Sequence, residues 1–306
     1  MEKGIVIKST GSHYLVRMEN EEVISCRIKG KMRLEEIKST NPVAVGDWVM
    51  VECDDDEGLI CEVMERKNYI VRRASNLSKQ SHVLAANVDQ AILIVTVNYP
   101  VTTPVFIDRF LASAEAYGIP VILVFNKIDR YDKRHLKELD HWRNLYEGIG
   151  YQTISISAKN NDDVNQVKSL LHNHVSVLAG HSGVGKSTLI NRIEPGLNLK
   201  TAEISDAHHQ GKHTTTNAEM HRLTDGGYII DTPGVRGFGL INIEKEELSH
   251  FFREIFERSK ECQFNNCSHV NEPGCAVKSR VKSGEIALSR YQSYLNILTN
   301  KEEKYR

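Results

Sequence analysis

Apolar and polar positions alternate along the first seventy residues. Period-2 segments over Gly4–Lys8, Tyr14–Met18, Val23–Ile28, Trp48–Val51 and Leu59–Met64, each bounded by turn formers, predict five half-buried strands. Five short strands in this length suit a small closed barrel of the oligonucleotide-binding (OB) or SH3-like kind. Beyond residue 88 the texture changes. Continuous apolar runs at Ala91–Val97, Val121–Phe125, Thr153–Ile156, Val175–Ala179 and Tyr228–Ile230 alternate with helix-periodic stretches at Phe106–Tyr117, Lys133–Gly148 and Asp162–His174. Such runs belong to strands buried on both faces, so this half reads as a parallel α/β sheet with crossover helices. After residue 243 the strands stop, and Glu244–Arg258 and Ser283–Asn300 carry helical periodicity. The expected division is a barrel over 1–71, a polar, aperiodic linker over 72–88, an α/β domain over 89–242 and a helical domain over 243–306.

Composition narrows the class without naming it. The 306 residues hold 39 Lys+Arg against 40 Asp+Glu, and 40% are hydrophobic, which excludes wholesale disorder and collagen-like structure. No run of about 18 apolar residues is present, so no membrane-spanning helix is expected. The first residues also lack the apolar core of a secretion signal. Six cysteines in this length do not make a disulfide scaffold. Cys26, Cys53 and Cys61 read as small core hydrophobes. The net charge of −1 hides opposed patches: a basic stretch of Arg27, Lys29, Lys31, Arg33 and Lys38 lies before an acidic hairpin run, and the tail over 276–306 has a basic excess.

The chemistry starts where the strand Val175–Ala179 ends. It runs into Gly180-His181-Ser182-Gly183-Val184-Gly185-Lys186-Ser187-Thr188 and a short amphipathic helix over Thr188–Ile193, the strand–loop–helix setting that G-x-x-x-x-G-K-[ST] requires. Glycines there let successive N–H groups converge on phosphate oxygens at a helix N-terminus. Lys186 is expected to reach the β- and γ-phosphates and Ser187 to ligate Mg²⁺. The base is read elsewhere. Asn126-Lys127-Ile128-Asp129 stands at the C-terminal end of a strand, where open α/β sheets bind ligands, and its carboxylate suits the N1–H and N2–H₂ donors of guanine. Lys127 is expected along the base and Asn126 as a tie to the phosphate loop. Ser157-Ala158-Lys159 follows the next strand and matches the loop whose backbone contacts guanine O6 in GTPases.

Two further boxes follow the phosphate loop. Asp231-Thr232-Pro233-Gly234 reads as D-x-x-G, with Asp231 on Mg²⁺ through water and the Gly234 N–H toward the γ-phosphate. The segment 211–216 reads as a switch, with Thr215 as the Mg²⁺-binding threonine. Val235 occupies the place where many GTPases carry a water-orienting Gln, so His213 is the candidate for that role. In an ordinary small GTPase the base-reading boxes come last, whereas here they come first. The fold class expected is therefore a circularly permuted α/β P-loop GTPase, with the old termini joined near residues 165–175. Its switch leads straight into the C-terminal segment, so a γ-phosphate-dependent movement has a path there. That segment carries Cys262-x₄-Cys267-x-His269-x₅-Cys275, three thiolates and an imidazole suited to a closed tetrahedral Zn²⁺ site.

With these motifs, and with Val45-Gly46-Asp47-Trp48-Val49 in the barrel, the whole chain resembles the circularly permuted small ribosomal subunit biogenesis GTPases. One departure is His181, where that family often has Gln. The resemblance implies a cytoplasmic, monomeric GTP/GDP-binding hydrolase that engages the 30S subunit and 16S rRNA late in maturation. It further implies turnover stimulated by the ribosome and release on hydrolysis. A nucleotide-gated RNA-binding scaffold or translation regulator with incidental hydrolysis is the alternative, separable by ribosome-stimulated turnover. A P-loop metabolic kinase is disfavoured by N-K-x-D.

Overall fold

In the computed structural model the described residues are 1–30, 42–53, 57–73, 81–198, 218–231 and 244–299. The switch segment with His213 and Thr215 lies outside them, as do Gly234, Val235 and the basic residues Lys31, Arg33 and Lys38. Asp231 is the last residue of its strand, and its side chain also lies outside the described set.

Strands β1 (Glu2–Ser9), β2 (Tyr14–Met18), β3 (Val23–Ile28), β4 (Trp48–Cys53) and β5 (Gly58–Val63) close a barrel in the order β1-β2-β3-β5-β4-β1. The β3–β5 pair is parallel and the other pairs are antiparallel. Alternation points Val6, Val16, Val49, Val51 and Ile60 inward around Tyr14 and Cys26. The same alternation corrects the cysteine reading. Cys26 is buried, but Cys61 stands on the outer face next to inward Ile60, and Cys53 at the end of β4 is exposed. The basic stretch is also altered where it is described: Arg27 pairs with Glu57 at 3.0 Å and Lys29 with Glu52 at 3.2 Å.

The expected linker is not one. A hairpin of β6 (Tyr69–Arg73) and β7 (Ser81–Ala86) occupies it, with Ile70, Val71, Val83 and Ala85 buried. Its buried residues come as neighbours, Ile70 with Val71 and Ala85 with Ala86, with a register shift at Ile70/Val71, so no alternating period stood out. Val45 bridges Ala85, and the Ala86 N–H donates to the Val45 carbonyl. Asp47 is fully buried; it accepts the Ala44 N–H at 2.8 Å and two bonds from Arg66 at 2.7 Å each. Gly46 has φ +90°, and a Cβ there would stand 2.1 Å from the Ala86 carbonyl oxygen, so this turn requires glycine.

The α/β domain has the strand order β10 (Gln152–Ser155), β9 (Val121–Phe125), β8 (Gln90–Val95), β11 (Val175–Ala179), β13 (Tyr228–Asp231), β12 (Glu219–Arg222), all parallel except β12. Leu93 and Val95 face α1 (Pro104–Ala116) and α2 (Lys133–Gly148), while Ile92 and Ile94 face α3 (Asn161–Leu171) and α4 (Lys186–Ile193). The helices begin where side chains accept the free N–H groups: Thr103 before α1, Asp132 before α2, Asn160 before α3. β12 was not foreseen; its outer edge pairs with β1 at Lys8↔Glu219, so barrel and α/β sheet form one ladder.

The C-terminal helices differ in extent from the expectation. Instead of one helix there is a 3₁₀ segment, Lys245–Phe251, and α5 (Arg253–Ser259), separated by extended Phe252, whose side chain fills the core. Then α6 (Ala276–Ser283) ends at left-handed Gly284, and α7 (Leu288–Leu298) packs on α1.

Candidate functional site

N-K-x-D and the phosphate loop, more than 50 residues apart in sequence, meet with Ser157-Ala158-Lys159 at the C-terminal ends of β9, β10 and β11. Asn126 joins them. Its Nδ2 donates to the Val184 carbonyl of the phosphate loop at 2.8 Å, and its Oδ1 accepts the Ala158 N–H at 3.0 Å. Lys127 has φ +66°, which turns its side chain over the loop, and Nζ donates to the carbonyls of Gly183 at 2.5 Å and Tyr99 at 2.7 Å. Burial lowers the Lys127 pKa, helped by the charge of Arg130. Gly180, Gly183 and Gly185 all have positive φ. A Cβ on Gly180 would come within 2.5 Å of the Ile94 carbonyl oxygen, and one on Gly185 within 2.5 Å of Asn126 Nδ2. Lys186, Ser187 and Thr188 form the first turn of α4.

Asp129 is presented on a single 3₁₀ turn, Ile128–Arg130. One oxygen accepts from Ser157 Oγ at 2.8 Å, the other from Lys159 Nζ at 3.1 Å. Burial pushes its carboxyl up, yet the bonds from Ser157 and Lys159 outweigh that and hold its pKa below the ordinary carboxylate value. Each oxygen still has a lone pair for a base N–H. The Ala158 N–H is committed to Asn126, whereas the Lys159 N–H is held only at 3.3 Å by Ser157 Oγ. His181 has its ring against Phe106 and Thr102.

Several contributors had no local signal. Tyr131 donates its hydroxyl to the Asn126 carbonyl and accepts the Val97 N–H, both at 2.8 Å. Asp163 accepts the Ser157 N–H at 2.6 Å and sets that loop. The Tyr131 and Asp163 bonds to Asn126 and Ser157 span only 5 and 6 residues, but no motif marks them, and the Val97 bond spans 34.

The second candidate site is the cysteine cluster. The ligand atoms of Cys262, Cys267, His269 and Cys275 all lie within 4.8 Å of one another. His269 Nδ1 is 3.6 Å from Cys262 Sγ and 3.5 Å from Cys275 Sγ. A tetrahedral Zn²⁺ with bonds of about 2.3 Å to S and 2.0–2.1 Å to N separates the two by roughly 3.5 Å, so the donor set fits zinc. Without a cation, burial and then the neighbouring Cys275 and Cys262 push the Cys267 thiol up to about 12, the reverse of what a bound cation imposes. Glu272 closes the ligand loop, accepting from Ser268 Oγ at 2.5 Å and from the N–H groups of Ser268, Val270 and Asn271. Tyr291 and Tyr294 of α7 donate to the carbonyls of His269 and Ser268.

The basic tail proves less basic on its surface than its count suggests. Arg290 is 1% exposed, held by Asp108 of α1 at 2.7 Å and by Glu254 of α5 at 2.6 and 3.0 Å. Arg280 pairs with Glu261 and Glu285. Tail positions 300–306 lie outside the described residues.

Known proteins resemble this chain over nearly its whole length. A family model described as RsgA GTPase matches residues 63–241, and one described as RsgA N-terminal domain matches residues 3–60. The first match takes in the β6–β7 hairpin. The chain is 56% identical, over 99% of both sequences, to a protein of Phocaeicola vulgatus named small ribosomal subunit biogenesis GTPase RsgA. It is 55% identical, again over 99% of both, to a protein of that name from Bacteroides fragilis. Among solved structures, YjeQ from Thermotoga maritima superposes with a TM-score of 0.80 at 37% identity, covering 98% of each chain. YloQ, described as a circularly permuted GTPase, superposes at 0.76 with 32% identity, covering 100% of this chain and 97% of that one.

Proposed function

The chain belongs to the RsgA GTPase family, and we propose on that premise that it is a GTP-hydrolysing factor of small ribosomal subunit biogenesis. In this reading it engages the 30S subunit and 16S rRNA, and hydrolysis sets its release. The observation that carries it is Asn126, whose amide ties the base-reading loops to the phosphate loop across 58 residues of chain.

The roles of Asp129, Lys159 and Lys127 rest on the bonds above, and the others rest on the sequence motifs. Asp129 takes the N1–H and N2–H₂ of guanine on its free lone pairs, and the Lys159 N–H is the donor for O6. The stem of Lys127 lies along the base. The phosphate loop, Gly180 to Thr188, cradles the phosphates with backbone N–H groups, and Lys186 neutralises charge that grows on the transferred phosphoryl group. Mg²⁺, when bound with nucleotide, supplies further charge neutralisation, with Ser187, Thr215 and Asp231 as its holders. Gly234 faces the γ-phosphate and His213 orients the attacking water. Cys262, Cys267, His269 and Cys275 hold Zn²⁺ as a structural clamp.

The test is GTP turnover with and without purified 30S subunits, alongside Asp129→Asn. Turnover well above basal with subunits, and a swing of the variant toward xanthine nucleotides, are expected. Turnover unchanged by subunits overturns the ribosomal reading, and retained guanine selectivity overturns the base assignment. For His213→Ala, unchanged ribosome-stimulated turnover with intact GTP binding removes that residue.

A further inference from the structure

His181 follows the first glycine of the phosphate loop, and its imidazole is bonded on both nitrogens. Nδ1 lies 3.0 Å from the Ser182 carbonyl oxygen and Nε2 lies 2.7 Å from Thr102 Oγ1. A carbonyl oxygen only accepts, so Nδ1 carries the proton. In the neutral ring Nε2 then accepts, and the Thr102 hydroxyl donates to it. Thr102 Oγ1 in turn accepts the Thr96 N–H at 3.0 Å, at the end of β8. The relay Thr96 N–H to Thr102 O–H to His181 to the Ser182 carbonyl therefore has one consistent direction. Thr102 is fully buried, and Phe106, in the first turn of α1, meets the His181 ring edge-on at 5.5 Å between centroids.

The result is set by peptide geometry. In a trans peptide the carbonyl and the next N–H point opposite ways. Holding the Ser182 carbonyl toward His181 aims the Gly183 N–H to the other side, and no acceptor among the described residues takes that N–H. The next two carbonyls are held likewise, Gly183 by Lys127 and Val184 by Asn126. Left-handed φ at Gly183 and Gly185, with Val184 between them outside that region, is the alternation that turns successive N–H groups to one concave side. Three consecutive peptides are thus pinned from outside by three side chains, two of them from N-K-x-D.

We propose that His181, braced by Thr102, is the third of these: a positioning residue that preorganises the Gly183 N–H for the nucleotide phosphates. It keys the phosphate loop to β8 and the start of α1. The inference rests on the nucleotide-site reading above and deepens it. A glutamine has the same two faculties, an N–H donor and an acceptor, whereas alanine has neither.

The test compares GDP, GTP and guanosine binding to the full-length, zinc-loaded chain with His181→Ala, His181→Gln, Thr102→Val and His181→Ala/Thr102→Val. Losing a hydrogen bond that orients a phosphate ligand is expected to weaken GDP and GTP about tenfold in His181→Ala, with guanosine within about twofold. His181→Gln should recover most of the loss, and the double variant should lose no more than the larger single loss. GDP affinity unchanged in His181→Ala overturns the proposal. So does an equal loss of GDP and guanosine, or a Gln variant no better than Ala. Additive losses overturn the part played by Thr102. If His181→Ala fails to fold, as judged by its melting curve, the Gln and Thr102→Val variants decide by the same GDP-to-guanosine ratio. Lys186→Ala separates the two readings: if it too leaves GDP affinity intact, the nucleotide site itself falls.

Discussion

The barrel and the helical domain are joined to the α/β domain in opposite ways. The barrel junction uses main chain at the Lys8↔Glu219 pairing, the Val45–Ala85 bridge and the Gly46 carbonyl that Asn87 holds, with an exposed Glu21–Arg222 ion pair beside it. Asp47 and Arg66 secure that turn from within. The helical junction is made by side chains. Arg290 enters from α7 and binds Asp108 on α1 and Glu254 on α5, while Tyr146 of α2 donates to the same Asp108 oxygen at 2.9 Å. Burial pushes the Asp108 carboxyl up against the pull of Arg290. A junction of strand pairing depends on backbone geometry, so it is sensitive to what cannot adopt a given φ. A buried ionic junction depends on each partner, and loss of one strands the others.

Metal removal should separate the two junctions most widely. Chelation of Zn²⁺ is expected to abolish hydrogen-exchange protection in α6 and α7 and leave β6 and β7 protected, because binding and folding are coupled in such clusters. Equal loss at both would erase the distinction. Next is Arg290→Ala, which leaves Asp108 buried and unpaired; about 3–5 kcal/mol of destabilisation is expected by denaturant melts. A cost under 1 kcal/mol would mean the junction is held by packing alone. Gly46→Ala should cost about 1–3 kcal/mol from backbone strain, before the contact with the Ala86 carbonyl is counted. A neutral result would show that the barrel turn yields freely. The smallest effect belongs to Lys8→Ala: its pair with Glu219, 3.1 Å apart and more than a third exposed, is expected to change stability by less than about 0.5 kcal/mol. A larger, salt-dependent loss would make the barrel junction ionic as well.

Legibility in the sequence followed the range of the interaction. The parallel strands were plain because burial on both faces writes itself into consecutive residues such as Ala91–Val95. The phosphate and base motifs were plain because backbone approach to a ligand demands particular residues in a row. The β6–β7 hairpin was not, since its buried residues stand side by side, as Ile70 with Val71 and Ala85 with Ala86, and leave no alternation to read. Arg290 counted as surface charge for a related reason: its partners Asp108 and Glu254 are 182 and 36 residues away. Val45-Gly46-Asp47 was visible as a string, but its cause, Arg66 and the Ala86 carbonyl, lies in the fold.

The permuted order has a consequence for synthesis. β8, β9 and β10 are contiguous in the sheet and emerge first; β11, β12 and β13 form the other half and follow. The cut thus falls between neighbouring halves, each assembled from sequential chain. Until β11 is made, β8 remains an unpaired apolar edge, and Gln90 awaits Ser176, 86 residues downstream. The nascent chain carries its N-K-x-D and Ser-Ala-Lys loops before the phosphate loop on which the proposed nucleotide site depends. On the proposed function, nucleotide is expected to assist folding only when the second half closes on the first.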